Sequence, residues 1–260
     1  MDCSDLYDLI IVGGGPGGLT AGIYAMRAAL KTVLVEMAAP GGQVNLSDSV
    51  ENWPGDEHIG GSELSMKMVN HAQSYGLDIR SDEVASVEPG LDCHTVHLAG
   101  GGCLKAHALI LATGGSPRKL GVPGEKEFYG RGVSYCATCD AKYFNDKEVL
   151  VIGGGNSAVE ESEYITRFAG KLTIVHQFDR LTANKQAQEK VFKNPKISII
   201  FNTEPRAFTR EGDKIITEAE NIKTGERSSL VSDGVFIFIG MKPNIGLFRD
   251  KLALDQWGYI

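Results

Sequence analysis

The sequence predicts an α/β protein made of two doubly wound units on one chain, the second interrupting the first. Three observations predict this. A β-type run, a glycine cluster, an amphipathic stretch and a second β-type run follow one another at 9–36, LIIVGGGPGGLTAGIYAMRAALKTVLVE. The same order returns at 149–176, VLVIGGGNSAVEESEYITRFAGKLTIVH. Two Gly/Pro-bearing connections, GGSPRKLGVPGE (114–125) and GMKPNIG (240–246), bracket the second copy, as paired linkers should when one domain is inserted into another.

Each copy reads as βαβ with one internal spacing. Gly13-x-Gly15-x-x-Gly18 and Gly153-x-Gly155-x-x-Ala158 both fit the dinucleotide fingerprint. Its first glycine makes the tight turn, its second admits a pyrophosphate to the backbone, and its small third residue lets helix pack on strand. The N–H groups at the helix start then hold the anion. One such match is weak evidence; two, each framed by strand and helix, make Rossmann-like domains the expected architecture. The second strands end differently, in Glu36 and His176, at the same offset from the first glycine. A carboxylate there accepts from an adenosine ribose and repels a 2′-phosphate. Both units are therefore built for adenosine cofactors, but not identically.

Between the units, 41–63 is turn-rich and long enough to be functional. ELSMKMVNHAQSYG (63–76) reads as a helix whose Leu64, Met68 and Ala72 form a core-facing stripe. Residues 83–111 read as short strands ending in ALILATGG (108–115), where small residues let a ligand approach the backbone. VFIFIG (235–240) is a further apolar strand.

Composition narrows the function classes. The chain has 260 residues, 42% of them hydrophobic and 23% charged, and a net charge of −7 with no basic stretch, which argues against nucleic acid or an anionic membrane as partner. The N-terminus lacks a basic n-region and its apolar run is short, so the chain is expected to be cytoplasmic. Of the five cysteines, Cys3, Cys93 and Cys103 are read as ordinary thiols, and only Cys136 and Cys139, in SYCATCD (134–140), have motif spacing. Two ligands fall short of zinc's usual four, so no metal site is expected. A short loop closed in a reducing compartment makes a poor staple. Redox cycling is the remaining reading, with Asp140 as the group that protonates a departing thiolate.

At this point the sequence resembles the low-molecular-weight thioredoxin reductases of bacteria and archaea. GGGPGGLTAGIYAMRA, GGQ, VENWPG, LILATGG, GRGVSYCATCD, VIGGGNSAVEE and GVFIFIG occur in family order along the whole chain. The resemblance implies a nicotinamide domain inserted into an FAD domain: 1–117 the first part of the FAD domain, 118–243 the insertion carrying the thiol pair, and 244–260 the return. It implies that Gly13, Gly15, Pro16, Gly17, Gly18, Glu36, Met37, Gly42, Gln43, Asn52, Val84, Ala112, Thr113 and Gly114 bind FAD. It assigns Gly153, Gly155, Asn156, Ser157, Ala158, His176, Gln177, Phe178, Arg180 and Gly240 to the nicotinamide nucleotide. Cys139 would face the flavin, Cys136 would attack the substrate disulfide, and Asp140 would be the acid–base residue. The implied partner is thioredoxin or a thioredoxin-like protein, the implied assembly a homodimer. One flavin must serve both the thiol pair and the nucleotide site of the inserted domain, so that domain is expected to rotate on its linkers.

Two features depart from the family. Its H-R-R-x-x-x-R run, which grips the 2′-phosphate of NADPH, is here HQFDRLT, so NADH is expected to serve at least as well as NADPH. The family also continues past LDQWGYI into a segment that contacts the flavin, and without it the flavin site is expected to lack one wall. Rival readings are the flavoprotein reductase of a peroxide-reducing system, a ferredoxin-dependent flavin thioredoxin reductase, and a nucleotide sensor without turnover. The absence of a second C-x-x-C, the intact Gly153/Gly155/Ala158 fingerprint, and the retained Cys136, Cys139 and Asp140 count against them in that order.

Overall fold

The computed structural model describes residues 5–256 and 259. They form two compact units, unit 1 comprising residues up to Ser116 together with those from Pro243 onward, and unit 2 running from Pro117 to Lys242.

Unit 1 contains β1 (Leu6–Val12), α1 (Pro16–Arg27), β2 (Thr32–Glu36), α2 (Gly61–Ser74), β3 (Asp78–Ser81), β4 (Val84–Glu88), β5 (His94–Leu98) and β6 (Cys103–Leu111). Its sheet runs β3-β2-β1-β6-β5-β4, parallel through the first four strands and antiparallel over the last two. β1 is buried on both sides, which is why it reads as an apolar run rather than an alternation. Leu9 and Ile11 pack with Leu19 and Ile23 of α1 and Leu64, Met68 and Ala72 of α2. Ile10 and Val12 pack on the other face with Val84, Val96, Leu104 and Phe248. Met66 of α2 points to solvent. The 41–63 stretch carries a short 3-10 turn, Gly42–Leu46, and is closed by a Val50–Ile59 bridge.

β7 (Gly115–Pro117) leads into unit 2, which contains α3 (Glu125–Phe128), β8 (Val133–Ser134), α4 (Ala137–Asp140), β9 (Glu148–Ile152), α5 (Asn156–Ile165), β10 (Lys171–Val175), α6 (Lys185–Lys193), β11 (Ile197–Ile200), β12 (Thr203–Glu211), β13 (Lys214–Asn221), β14 (Arg227–Ser232) and β15 (Gly234–Ile237). β16 (Met241–Pro243) leads out and pairs with β7, so the two connections form a two-stranded ribbon instead of separate loops. The main sheet runs β11-β10-β9-β15-β8, all parallel. Its β11-β10-β9-β15 portion repeats the β3-β2-β1-β6 order of unit 1, the doubly wound arrangement that binds ligands where the order reverses. Val149, Val151 and Phe236 pack under α5 and α6. Leu150, Ile152, Val235 and Ile237 pack with Phe208 and Ile215 of a separate antiparallel sheet, β12-β13-β14. That second sheet takes the place of a helical layer, and the sequence reading assigned it no elements. No helix among the described residues is long and apolar enough to cross a membrane.

Candidate active site

The two glycine loops share three corresponding backbone hydrogen bonds. Gly13 N–H donates to Val35 O at 2.9 Å and Gly153 N–H to Val175 O at 3.0 Å. Ala112 N–H donates to Val12 O and Phe238 N–H to Ile152 O, both at 2.8 Å. Gly41 N–H reaches Gly14 O at 2.7 Å, and Thr182 N–H reaches Gly154 O at 2.8 Å. In each loop the first glycine is required outright. Gly13 has φ +106° and Gly153 φ +134°, and a Cβ would strike the carbonyl oxygens of Ala112 and Phe238 respectively.

In unit 1 the loop forms a cradle without side chains. A Cβ on Gly15 would meet only Gly42 Cα at 3.9 Å, one on Gly17 only Ala112 Cβ at 4.0 Å, and one on Gly114 nothing within 4 Å. α1 starts at Pro16 behind the uncapped Gly15, so its first-turn N–H groups carry no side-chain cap. Gly18 is buried against Gly13 O. Glu36 accepts from Gly14 N–H at 2.6 Å and from Ala38 N–H at 2.8 Å, which fixes the carboxylate at the end of β2. Gln43 Nε2 donates to Gly115 O at 3.3 Å. Gly13, Gly15, Pro16, Gly17, Gly18, Glu36, Gly42, Gln43, Ala112, Thr113 and Gly114 thus gather at the C-terminal ends of β1, β2 and β6. Met37 follows Glu36 as an exposed side chain. Asn52 sits exposed in the loop beyond the Val50 bridge. Val84 begins β4 two residues after Asp82, whose N–H bonds Glu36 O at 3.0 Å, but its side chain is core. These residues fit FAD: an open glycine cradle for the pyrophosphate and a fixed carboxylate for a ribose.

Asn244 is a cradle residue the sequence reading passed over. Its Nδ2 donates to Thr113 O at 2.9 Å, its O accepts from Thr113 Oγ1 at 2.7 Å, and its N–H donates to Gly114 O at 3.0 Å. These bonds link residues distant in the chain, which no local pattern announces.

In unit 2, α5 starts behind Gly155, again with no side-chain cap. Only Thr182 Oγ1, at 3.8 Å, would neighbour a Cβ there, so the pyrophosphate position is open. Ala158 is buried, and Ser157 exposed. Asn156 Oδ1 accepts from Asn184 N–H at 2.7 Å, binding the start of α5 to the N-cap of α6. His176 is 5% exposed and lies beneath Gly154, whose Cβ would sit 2.5 Å from the ring. Burial pulls its pKa below the ordinary imidazole value, opposed by a hydrogen bond with the Arg180 backbone. Its charged form is therefore disfavoured, and its Nε2 has no partner among the described residues. Phe178 stands edge-on to the His176 ring, centroids 5.2 Å apart. Gln177, Phe178 and Arg180 are exposed, and Asp179 pairs with Lys223 at 3.7 Å. Gly240, at φ +101°, accepts from Arg118 N–H at 2.9 Å in the outgoing connection. This surface fits a dinucleotide and offers a 2′-phosphate little charge.

Cys136 and Cys139 form a disulfide across the start of α4. Cys139 N–H donates to Cys136 Sγ at 3.2 Å. Cys136 is half-buried and Cys139 exposed. Asp140 ends the turn, and its Oδ2 accepts from Ser134 Oγ at 2.6 Å. The remaining cysteines split. Cys93 is free. Cys103 is disulfide-bonded, which corrects its reading as an ordinary thiol. Spacing along the chain and compartment do not reveal such a bond, because pairing is decided by which thiols the fold brings together. Cys3 lies outside the described residues.

Comparison with known proteins agrees with this geometry. The model of the pyridine nucleotide-disulphide oxidoreductase family matches residues 7–260. A thioredoxin reductase of Bacillus subtilis is 45% identical over 257 residues, covering 98% of this chain and 81% of the relative. Among solved structures, Lactococcus lactis thioredoxin reductase superposes with a TM-score of 0.95 at 40% identity, covering 98% of this chain and 84% of that one. The T. acidophilum thioredoxin reductase gives 0.92 at 31% identity, with coverage of 98% and 84%. The chain belongs to the pyridine nucleotide-disulphide oxidoreductase family, and within it resembles the low-molecular-weight thioredoxin reductases.

Proposed function

We propose that this chain is a thioredoxin-disulfide reductase that passes electrons from a nicotinamide nucleotide to the disulfide of thioredoxin or a thioredoxin-like protein. The observation that carries the reading is the Cys136–Cys139 disulfide, followed directly by Asp140, in a unit whose β9–α5 loop also has dinucleotide geometry. FAD, when bound in the unit 1 cradle, supplies the two-electron relay between nicotinamide and disulfide.

The residues divide the work. Glu36, held by Gly14 and Ala38, accepts from a ribose hydroxyl. The open N-termini of α1 and α5 each receive a pyrophosphate. Two electrons and two protons convert the Cys136–Cys139 disulfide to a dithiol. Cys136 releases its proton to solvent and attacks the partner's disulfide as a thiolate, forming a mixed disulfide and expelling one partner sulfur, which Asp140 protonates. Cys139 then attacks Cys136 Sγ, which closes the internal disulfide and frees the second partner thiol. The direct test is nicotinamide-driven reduction of oxidised thioredoxin by the flavin-loaded protein. No turnover above a flavin-only control would overturn the reading.

The nucleotide is NADH at least as readily as NADPH. A 2′-phosphate needs forked cationic donors, and the 177–182 run supplies only Arg180. Burial disfavours a charge on His176, and Asp179 engages Lys223 in the same region. Each missing charge-assisted contact forfeits about 1.5–3 kcal/mol. The expected result is a kcat/KM for NADH equal to or above that for NADPH, with Gln177→Arg/Phe178→Arg moving preference toward NADPH. A strong NADPH preference in the unaltered protein would refute this assignment.

One flavin serves two stations on unit 2, so the reading requires that unit to present them in turn. A verified covalent tether between the units should stop steady-state turnover yet spare one half-reaction. Full turnover of the tethered protein would contradict it.

A further inference from the structure

Ser134, the last residue of β8, is 3% exposed and is the point where the redox turn and its carboxylate meet. Its Oγ accepts from Cys136 N–H at 3.0 Å. It has two acceptors in reach for its single proton: Asp140 Oδ2 at 2.6 Å and Cys136 O at 3.2 Å. We infer that Ser134 is the positioning residue for Asp140, holding the carboxyl group in one place through both of its protonation states. The inference rests on the reading of Asp140 as the group that protonates the departing partner thiolate.

A hydroxyl has one donor and two acceptor sites. With Asp140 ionised, Ser134 O–H donates to Oδ2 while its oxygen holds Cys136 N–H. The N–H to hydroxyl to carboxylate chain is then polarised in one direction, each bond strengthening the next. With Asp140 protonated on Oδ2, the carboxyl O–H donates to Ser134 Oγ, and the Ser134 proton turns to Cys136 O. Every donor keeps an acceptor, and no heavy atom moves. The proton that leaves Asp140 goes to the partner sulfur, and the one that returns comes from solvent, so Ser134 itself gains and loses nothing. The serine also ties the acid to the backbone of Cys136, so the proton donor stays in register with the thiol that attacks. Burial makes the arrangement matter, because water cannot replace a lost hydroxyl at a site this enclosed.

The test is single-turnover transfer from the pre-reduced flavin-loaded protein to oxidised thioredoxin, in Ser134→Ala, Asp140→Asn, the double variant and Ser134→Thr. Flavin reduction by nicotinamide, measured alongside, reports an intact fold. Asp140→Asn is expected to slow thiol–disulfide exchange by about 100-fold. Ser134→Ala is expected to slow it by about 10-fold with flavin reduction unchanged. The double variant should be no slower than Asp140→Asn alone, because Ser134 acts through the carboxylate. Ser134→Thr, which keeps the hydroxyl, should recover most of the rate. If Ser134→Ala exchanges at the normal rate, multiplies the Asp140→Asn defect, or slows flavin reduction equally, Ser134 is structural and the inference is overturned while the Asp140 reading stands. If Asp140→Asn exchanges normally, the Asp140 reading itself fails, and this inference with it.

Discussion

Cys136→Ser is expected to reduce thioredoxin turnover to background while leaving flavin bound. The disulfide is the only sulfur–sulfur bond within unit 2 among the described residues, and neither cysteine belongs to the unit 1 cradle. A hydroxyl in place of the Cys136 thiol cannot become a thiolate near neutral pH, so no mixed disulfide forms. Cys139→Ser should be equally inactive in turnover but different in kind. Its Cys136 thiol still attacks the partner, and without Cys139 only the partner's own freed thiol can reverse that step. A thioredoxin with one cysteine of its pair replaced by serine and the other activated as a mixed disulfide with a small thiol that diffuses away should therefore leave a covalent adduct in Cys139→Ser and none in Cys136→Ser, seen as one added partner mass under non-reducing conditions. The reverse pattern would exchange the two roles, and near-normal turnover in either variant would sink the mechanism.

Gly13→Ala and Gly153→Ala should each disable the unit they sit in. Both φ values lie beyond the left-handed region that an L-residue tolerates, and both Cβ positions coincide with a carbonyl oxygen in the next strand connection. Backbone strain and overpacking together cost about 3 kcal/mol or more, a large share of a domain's usual 5–15 kcal/mol, as roughly estimated for folded proteins. The first variant should lose flavin on gel filtration. The second should keep flavin but lose nicotinamide binding. Gly212→Ala, in the β12–β13 turn away from both glycine loops, is the control: at φ +57°, with no atom within 4 Å of a Cβ, it should cost only about 1 kcal/mol. Wild-type melting and ligand retention in Gly13→Ala or Gly153→Ala would show that the loops tolerate what the geometry forbids.

What the sequence determined by itself was whatever depends on near neighbours. The two βαβ units, the α2 stripe of Leu64, Met68 and Ala72, and the strands of 83–111 were all legible, because period and glycine spacing act within a few residues. The disulfide of SYCATCD was legible for the same reason. The antiparallel β12-β13-β14 sheet had a local signal too: Ile215, Thr217 and Ala219 alternate inward along β13, with turn residues at 212–213 and 224–225. Its polar composition hid it. Only tertiary structure decided the rest. That Cys103 is bonded and Cys93 free depends on which thiols fold into reach. That His176 is buried, with its charged form disfavoured, depends on Gly154 closing over its ring. Asn244 holds Thr113 and Gly114 across a large separation in the chain. Ser134 looks like any strand-end serine until the α4 turn carries Asp140 back onto its hydroxyl. Burial and hydrogen bonds between distant residues are set by how elements pack, and no local pattern of residue types encodes them.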